Sequence, residues 1–139
     1  MKNSSTKLLL ILCLILSFTL LIGCTNPKLS DDYDEEEVKR AAENVISYIN
    51  NNDSENILEI STVAVKSALT EEVLEQIYEA IGEGGEFEEI QDVSVGGQKD
   101  KQSEEEFAVV VAKAKYENKN FIYTITFTKQ MKLAGLFYK

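Results

Sequence analysis

The chain has 139 residues with 14 Lys and Arg against 24 Asp and Glu, a net charge of −10. Such a surplus of carboxylates repels phosphate backbones, whose binding needs Lys and Arg to release counterions, and so argues against nucleic acid as a partner. Histidine is absent, which removes the commonest general base near neutral pH and the commonest zinc ligand, and with them Ser-His-Asp, Cys-His and most zinc-hydrolase arrangements.

Met1 to Lys7 is a short polar start carrying Lys2 and Lys7, and Leu8 to Ile22 is an apolar run interrupted only by Ser17 and Thr19. As a helix those residues reach roughly 22 Å, short of the roughly 30 Å hydrocarbon core, so the run reads as the apolar part of a secretion signal and not as a spanning helix. It stops at Leu21-Ile22-Gly23-Cys24, which resembles the bacterial lipobox. The resemblance implies transfer of diacylglyceryl to the Cys24 sulfur and cleavage after Gly23. Residues 1–23 are then a lipoprotein signal peptide, and Cys24, carrying acyl chains such as palmitate, is the lipid attachment site. The competing reading is an uncleaved anchor with a chance cysteine at its edge.

Cleavage leaves 116 residues with 12 basic and 24 acidic side chains, because Lys2 and Lys7 are removed and no acid is. That length suits one hydrophobic core and not two. Cys13 leaves with the signal, so no internal disulfide can form and stability must come from packing. Each buried methylene of an acyl chain adds about 0.8 kcal/mol of membrane affinity, and two chains hold far longer than one. The expected location is the outer face of a membrane, with the membrane itself the first partner. Residues 24–34 contain Pro27 and the acidic run Asp31-Asp32-Tyr33-Asp34 without apolar periodicity, which reads as a flexible acidic tether.

The folded domain is expected over residues 35–139. Val38, Ala41, Ala42, Val45, Ile46 and Ile49 recur at three-and-four spacing, one face of a helix that Asp32 or Asp34 caps and that Asn50-Asn51-Asn52-Asp53 ends. A short helix from Ser54 to Ile60 follows Asp53, and Val63 to Leu69 adds a turn or two. Thr70 caps a further helix with Val73, Leu74, Ile77, Tyr78 and Ile81 on one face, stopped by Gly82, Gly84 and Gly85. The period then changes to two. Strands are predicted over Phe87–Val95, Phe107–Tyr116, Phe121–Thr128 and Met131–Tyr138, with Gly96-Gly97 opening the first turn. Short connections make them antiparallel. Phe121, Tyr123, Ile125 and Phe127 share one face, as do Ala108, Val110, Ala112, Ala114 and Tyr116; the fourth strand has no clear parity.

Helices followed by an antiparallel sheet give an α+β class. The Leu69-Thr70-Glu71 helix start, the Gly85-Glu86-Phe87 approach to the sheet and the closing Lys132-Leu133-Ala134-Gly135-Leu136-Phe137-Tyr138 resemble a domain-of-unknown-function family with the nuclear transport factor 2-like (cystatin-like) fold, found in secreted and lipid-anchored proteins of Gram-positive bacteria. The resemblance covers about residues 36–138. It implies a cone of N-terminal helices packed on a four-stranded antiparallel sheet, and it brings no catalytic residues. Members often carry an aromatic such as Trp where this chain has Ile77-Tyr78, so the lining of any cavity differs.

The remaining candidates for chemistry are weak as signals. Asp31, Asp32, Asp34, Glu35, Glu36 and Glu37 lack the alternating spacing and central Gly of a calcium loop, and a solvated, dipole-matched helix start accounts for them. The glycines lack the context of a phosphate loop, and sequence alone cannot bring two acids into one glycosidase cleft. Tyr48, Tyr78, Tyr116 and Tyr123 are the candidate cavity-lining set, since cones of this kind often hold a cavity where a Tyr hydroxyl orients a ligand; ordinary core aromatics are the alternative. No catalytic residue, metal or cofactor is assigned. The expected function is a non-enzymatic binding or interaction module for an unknown small molecule or envelope protein. Its rivals are a small cavity enzyme using Tyr with Asp or Glu, and an accessory subunit of a membrane complex.

Overall fold

The computed structural model describes residues 27–139; the expected signal peptide, residues 1–23, and the expected lipid attachment site Cys24 lie outside them. Helix α1, Glu35–Asn50, starts where the Asp34 side chain accepts the Glu37 amide at 3.0 Å, and three glutamates in its first turn meet the positive end of its dipole. Its stripe Val38, Ala42, Val45, Ile46 and Ile49 is buried. Asn52 then turns the chain with a left-handed φ of 52°, a conformation asparagine tolerates better than most residues. Helices α2, Ser54–Ile60, α3, Val63–Ala68, and α4, Glu71–Gly82, are capped by Asp53, Thr62 and Thr70, each accepting an amide three residues on.

Strands β1, Phe87–Lys99, β2, Glu106–Tyr116, β3, Asn120–Phe127, and β4, Leu133–Tyr138, form an antiparallel sheet in the order of the chain. The chain is thus α+β, with N-terminal helices followed by a four-stranded open sheet. The inward residues of β2 and β3 are those the two-residue period selects, and all are buried. They meet the α1 stripe, Ile57, Leu74, Ile77 and Ile81 in one core.

Three expectations change. First, β1 continues through Gly96 and Gly97 to Lys99, with Gly97 opposite Ala108; the glycines serve a close approach, not a turn. Second, residues 27–34 are docked, not a free tether. The Gly97 amide donates to the Pro27 carbonyl at 2.7 Å, Leu29 packs against the core, and Tyr33 is buried with its hydroxyl donating to the Glu106 carbonyl at 2.9 Å. Asp32 and Glu106 share Lys129 at 2.7 and 3.1 Å, whose ammonium holds both carboxyls below their ordinary range. Third, Met131 and Lys132 belong to a turn in which Met131 has φ 58°, so β4 starts at Leu133. A register shift between Thr126 and Phe127 puts Leu133 on the same side as Leu136 and Tyr138 although their spacing is odd, which is why β4 has no simple parity.

Each sheet edge is blocked at the end where β1 finishes and β4 begins. Pro27 covers β1, and the Thr62 amide donates to the Leu133 carbonyl of β4 at 2.9 Å. Covering an edge in this way removes a template for unwanted strand pairing.

Candidate functional site

The opposite end of the sheet opens into a cleft of about 960 Å³. Its walls are the C-terminal half of α1, the end of α4 and the start of β1, which diverge because α1 ends in the Asn51-Asn52 turn and β1 bends at register shifts between Phe87 and Glu89 and between Ile90 and Asp92. Gly85 turns the chain under the cleft with φ 81°, where a Cβ would stand 2.9 Å from Glu117 and Asn118 atoms. A side chain there would be strained on both counts.

Two of the four tyrosines singled out by sequence line the cleft, Tyr78 and Tyr116. The Tyr78 hydroxyl pairs with the Ser54 hydroxyl at 2.8 Å. Tyr116 is buried; its hydroxyl donates to Asn50 Oδ1 at 2.6 Å and meets the Tyr123 hydroxyl at 2.7 Å. Because the Tyr116 proton is engaged by Asn50, Tyr123 is the donor of that second bond. Tyr123 is fully buried behind Tyr116 and does not reach the cleft. Tyr48 is half-buried against the core and does not line it either. The expected quartet is therefore a pair at the cleft wall, one sealed residue and one outside.

Burial pushes both the Tyr116 and Tyr123 hydroxyls up, Tyr123 well beyond the range of any physiological titration. A hydroxyl held protonated and already donating inside the protein is a poor general acid or base. The carboxylates at the cleft, Glu43, Glu86, Glu89 and Glu117, are all solvent-exposed, so none stands desolvated beside a tyrosine as acid–base chemistry would require. Exposed Asn44, Ser47, Asn51 and Asn52 supply neutral hydrogen-bonding groups at the rim. Phe87, 40 % exposed, stands edge-on to Tyr116 at 5.5 Å between ring centroids, and Tyr116 in turn to Phe121 at 5.2 Å. This aromatic row runs from the cleft into the core.

Among the described residues no Lys or Arg lines the cleft. Elsewhere some acids are ion-paired, Glu35 and Glu36 with Lys39, Glu88 with Lys115 and Glu83 with Lys119, while many others stand exposed without a cation. Among the described residues the four cleft carboxylates have no such pairing. Nor does any group of three or more metal-ligating side chains converge among them. In the acidic run at the start of α1, Asp34 caps the helix and Asp32, Glu35 and Glu36 form ion pairs, while Asp31 and Glu37 are exposed to solvent.

Residues 42–136 match the family described as "Protein of unknown function (DUF3887)". The chain belongs to that family. The DUF3887 segment starts inside α1 and ends in β4, so it contains every wall of the cleft and leaves out the docked residues 27–34. A protein from Ruminococcus gnavus ATCC 29149, solved by NMR, is similar to this DUF3887 chain with a TM-score of 0.70 and 25 % sequence identity, over 79 % of this chain and 95 % of that one. No curated protein matches.

Sequence reasoning did not find Asn50, Phe87 or Tyr33. Asn50 reads as the stop of α1, and its bond to Tyr116 spans 66 positions, so no local pattern carries it. Phe87 is an ordinary strand residue until the register shift beside it turns its ring toward the cleft. Tyr33 is masked by the acids around it; its aromatic ring in a polar run was the available signal.

Proposed function

We propose that this DUF3887 protein is a lipid-anchored, extracytoplasmic binding module of a Gram-positive bacterium, held on the outer face of the membrane through Cys24, with the end cleft as its ligand site. The domain is read as a nuclear transport factor 2-like (cystatin-like) cone, a reading supported by the element order and by the way α1 lies across the inner face of the sheet. The anchor rests on the Leu21-Ile22-Gly23-Cys24 pattern. The observation that carries the function is the pairing of a large open cleft, rimmed by neutral amides and an exposed aromatic, with tyrosine hydroxyls that are already hydrogen-bonded within the protein. Such a site recognises a ligand without transforming it. Four unpaired carboxylates and no basic lining select a neutral polar or cationic ligand and repel anions.

The test is a titration of the isotope-labelled protein, followed by the side-chain amide signals of Asn44, Asn51 and Asn52. An N-acetylated oligosaccharide as neutral probe or a tri-lysine peptide as cationic probe is expected to shift these signals, while glycerol phosphate at the same concentration leaves them in place. Shifts from glycerol phosphate alone, or from none of the three, would sink the proposal. The enzyme reading takes the lead only if a substrate is turned over and that turnover is lost on Tyr116→Phe with the fold intact.

A further inference from the structure

Lipidation and binding leave open how the cleft is presented. The chain after Cys24 is fastened early: the Pro27 carbonyl accepts from Gly97 at 2.7 Å, the Tyr33 amide donates to the Ser30 carbonyl at 3.1 Å, and the Tyr33 ring and hydroxyl are built into the core and the ends of β2 and β3. A Cβ on Gly97 would lie 2.5 Å from the Lys28 carbonyl oxygen, so this strand position is shaped to receive the segment. Cys24 is three residues from Pro27, and three residues span at most about 11 Å in any conformation. The Cα of Pro27, where the chain meets β1, therefore stays within about 11 Å of the Cys24 Cα.

Two elements measure the distance from that point to the cleft. Helix α1 has 16 residues, about 24 Å at 1.5 Å each; the docked segment feeds its first residue and the cleft is lined by its last turns. Strand β1 runs back from Gly97 to Phe87, ten residues, roughly 33 Å before its two register shifts shorten it. Both put the cleft at the pole opposite the attachment point. The turns at residues 100–105 and 128–132 share the attachment pole, since Lys99 pairs with Glu106 and Phe127 with Leu133.

From this arrangement we infer that the bilayer faces the pole formed by residues 27–33 and the turns 100–105 and 128–132, and that the cleft opens on the far side, some 25 Å further out. The cleft then meets water-soluble or wall-side ligands and does not draw lipids from the leaflet. This rests on the lipid-anchor reading.

The test uses the processed, lipidated protein in vesicles, with Gln102→Cys at the near turn or Glu79→Cys on α4 beside the cleft, both exposed positions. Cys24 carries lipid as a thioether, so the introduced thiol alone takes a fluorophore. With an energy-transfer acceptor on the lipid head groups, transfer from position 102 is expected to exceed that from position 79 several-fold. Inserting ten Gly and Ser residues between Asn26 and Pro27 is expected to shrink that ratio toward one while the protein stays vesicle-bound, because the lengthened linker behaves as a flexible coil. Equal or reversed transfer in a protein that floats with the vesicles overturns the orientation alone. A protein that does not float, with an unmodified Cys24, overturns the anchor and the orientation together.

Discussion

The hydroxyl chain from Tyr123 through Tyr116 to Asn50 decides what the cleft wall can do. It has a direction, because Asn50 Oδ1 accepts the Tyr116 proton and Tyr116 is left to accept from Tyr123. Removing the end of the chain by Tyr123→Phe leaves every donor satisfied and should cost about 1 kcal/mol. Removing its middle by Tyr116→Phe strands a fully buried Tyr123 donor and should cost roughly 1 to 3 kcal/mol. Denaturant midpoints compared at unchanged slope measure the difference; equal losses, or a larger loss for Tyr123→Phe, would show the chain runs otherwise. At this scale the sequence discloses local events and conceals distant ones. The caps Asp34, Asp53 and Thr70 are readable because each bonds an amide three residues away. The Asn50–Tyr116 bond joins residues whose proximity depends on the whole fold.

At the scale of elements, periodicity carries most of the architecture. The α1 stripe and the inward faces of β2 and β3 follow from spacing alone, since burial on one face imposes a period of 3.6 or 2. Gly96-Gly97 is misleading, because glycine signals a turn and a close backbone approach equally well; the close approach is the one realised, against the segment at Lys28. Gly97→Val is therefore expected to expel residues 27–33 from β1, with a loss of about 1 to 3 kcal/mol. Hydrogen exchange should accelerate at the residue 97 amide and at Tyr33, which donate to Pro27 and Ser30 in the docked segment, while the amides shared by β2 and β3 stay protected. Gly82→Ala, where an added Cβ meets nothing within 4 Å, should change neither. Unaltered protection at Tyr33 in Gly97→Val would show that the contact at Gly97 does not hold the segment. β4 is readable as a strand but its parity is not, for a different reason: the register shift opposite Thr126 and Phe127 breaks its alternation, and such a shift shows only in the pairing of the two strands.

Over the whole molecule the sequence divides into an address and a domain. The proposed address rests on a charged start, an apolar run and Leu21-Ile22-Gly23-Cys24, the kind of linear chemistry that secretion and lipidation read. The DUF3887 domain is legible as α+β. Its cleft is not, because free volume arises where elements diverge and no residue spells that. With the lipid anchor as proposed, the docked segment 27–33 makes it a statement about orientation as well as location. The account stands or falls on Cys24. Mass spectrometry of the N-terminal peptide of the protein purified from membranes tests it directly. A mature chain beginning at Cys24 with a diacylglyceryl group on its sulfur is the predicted result; a chain that retains residues 1–23, begins elsewhere, or carries an unmodified Cys24 contradicts it.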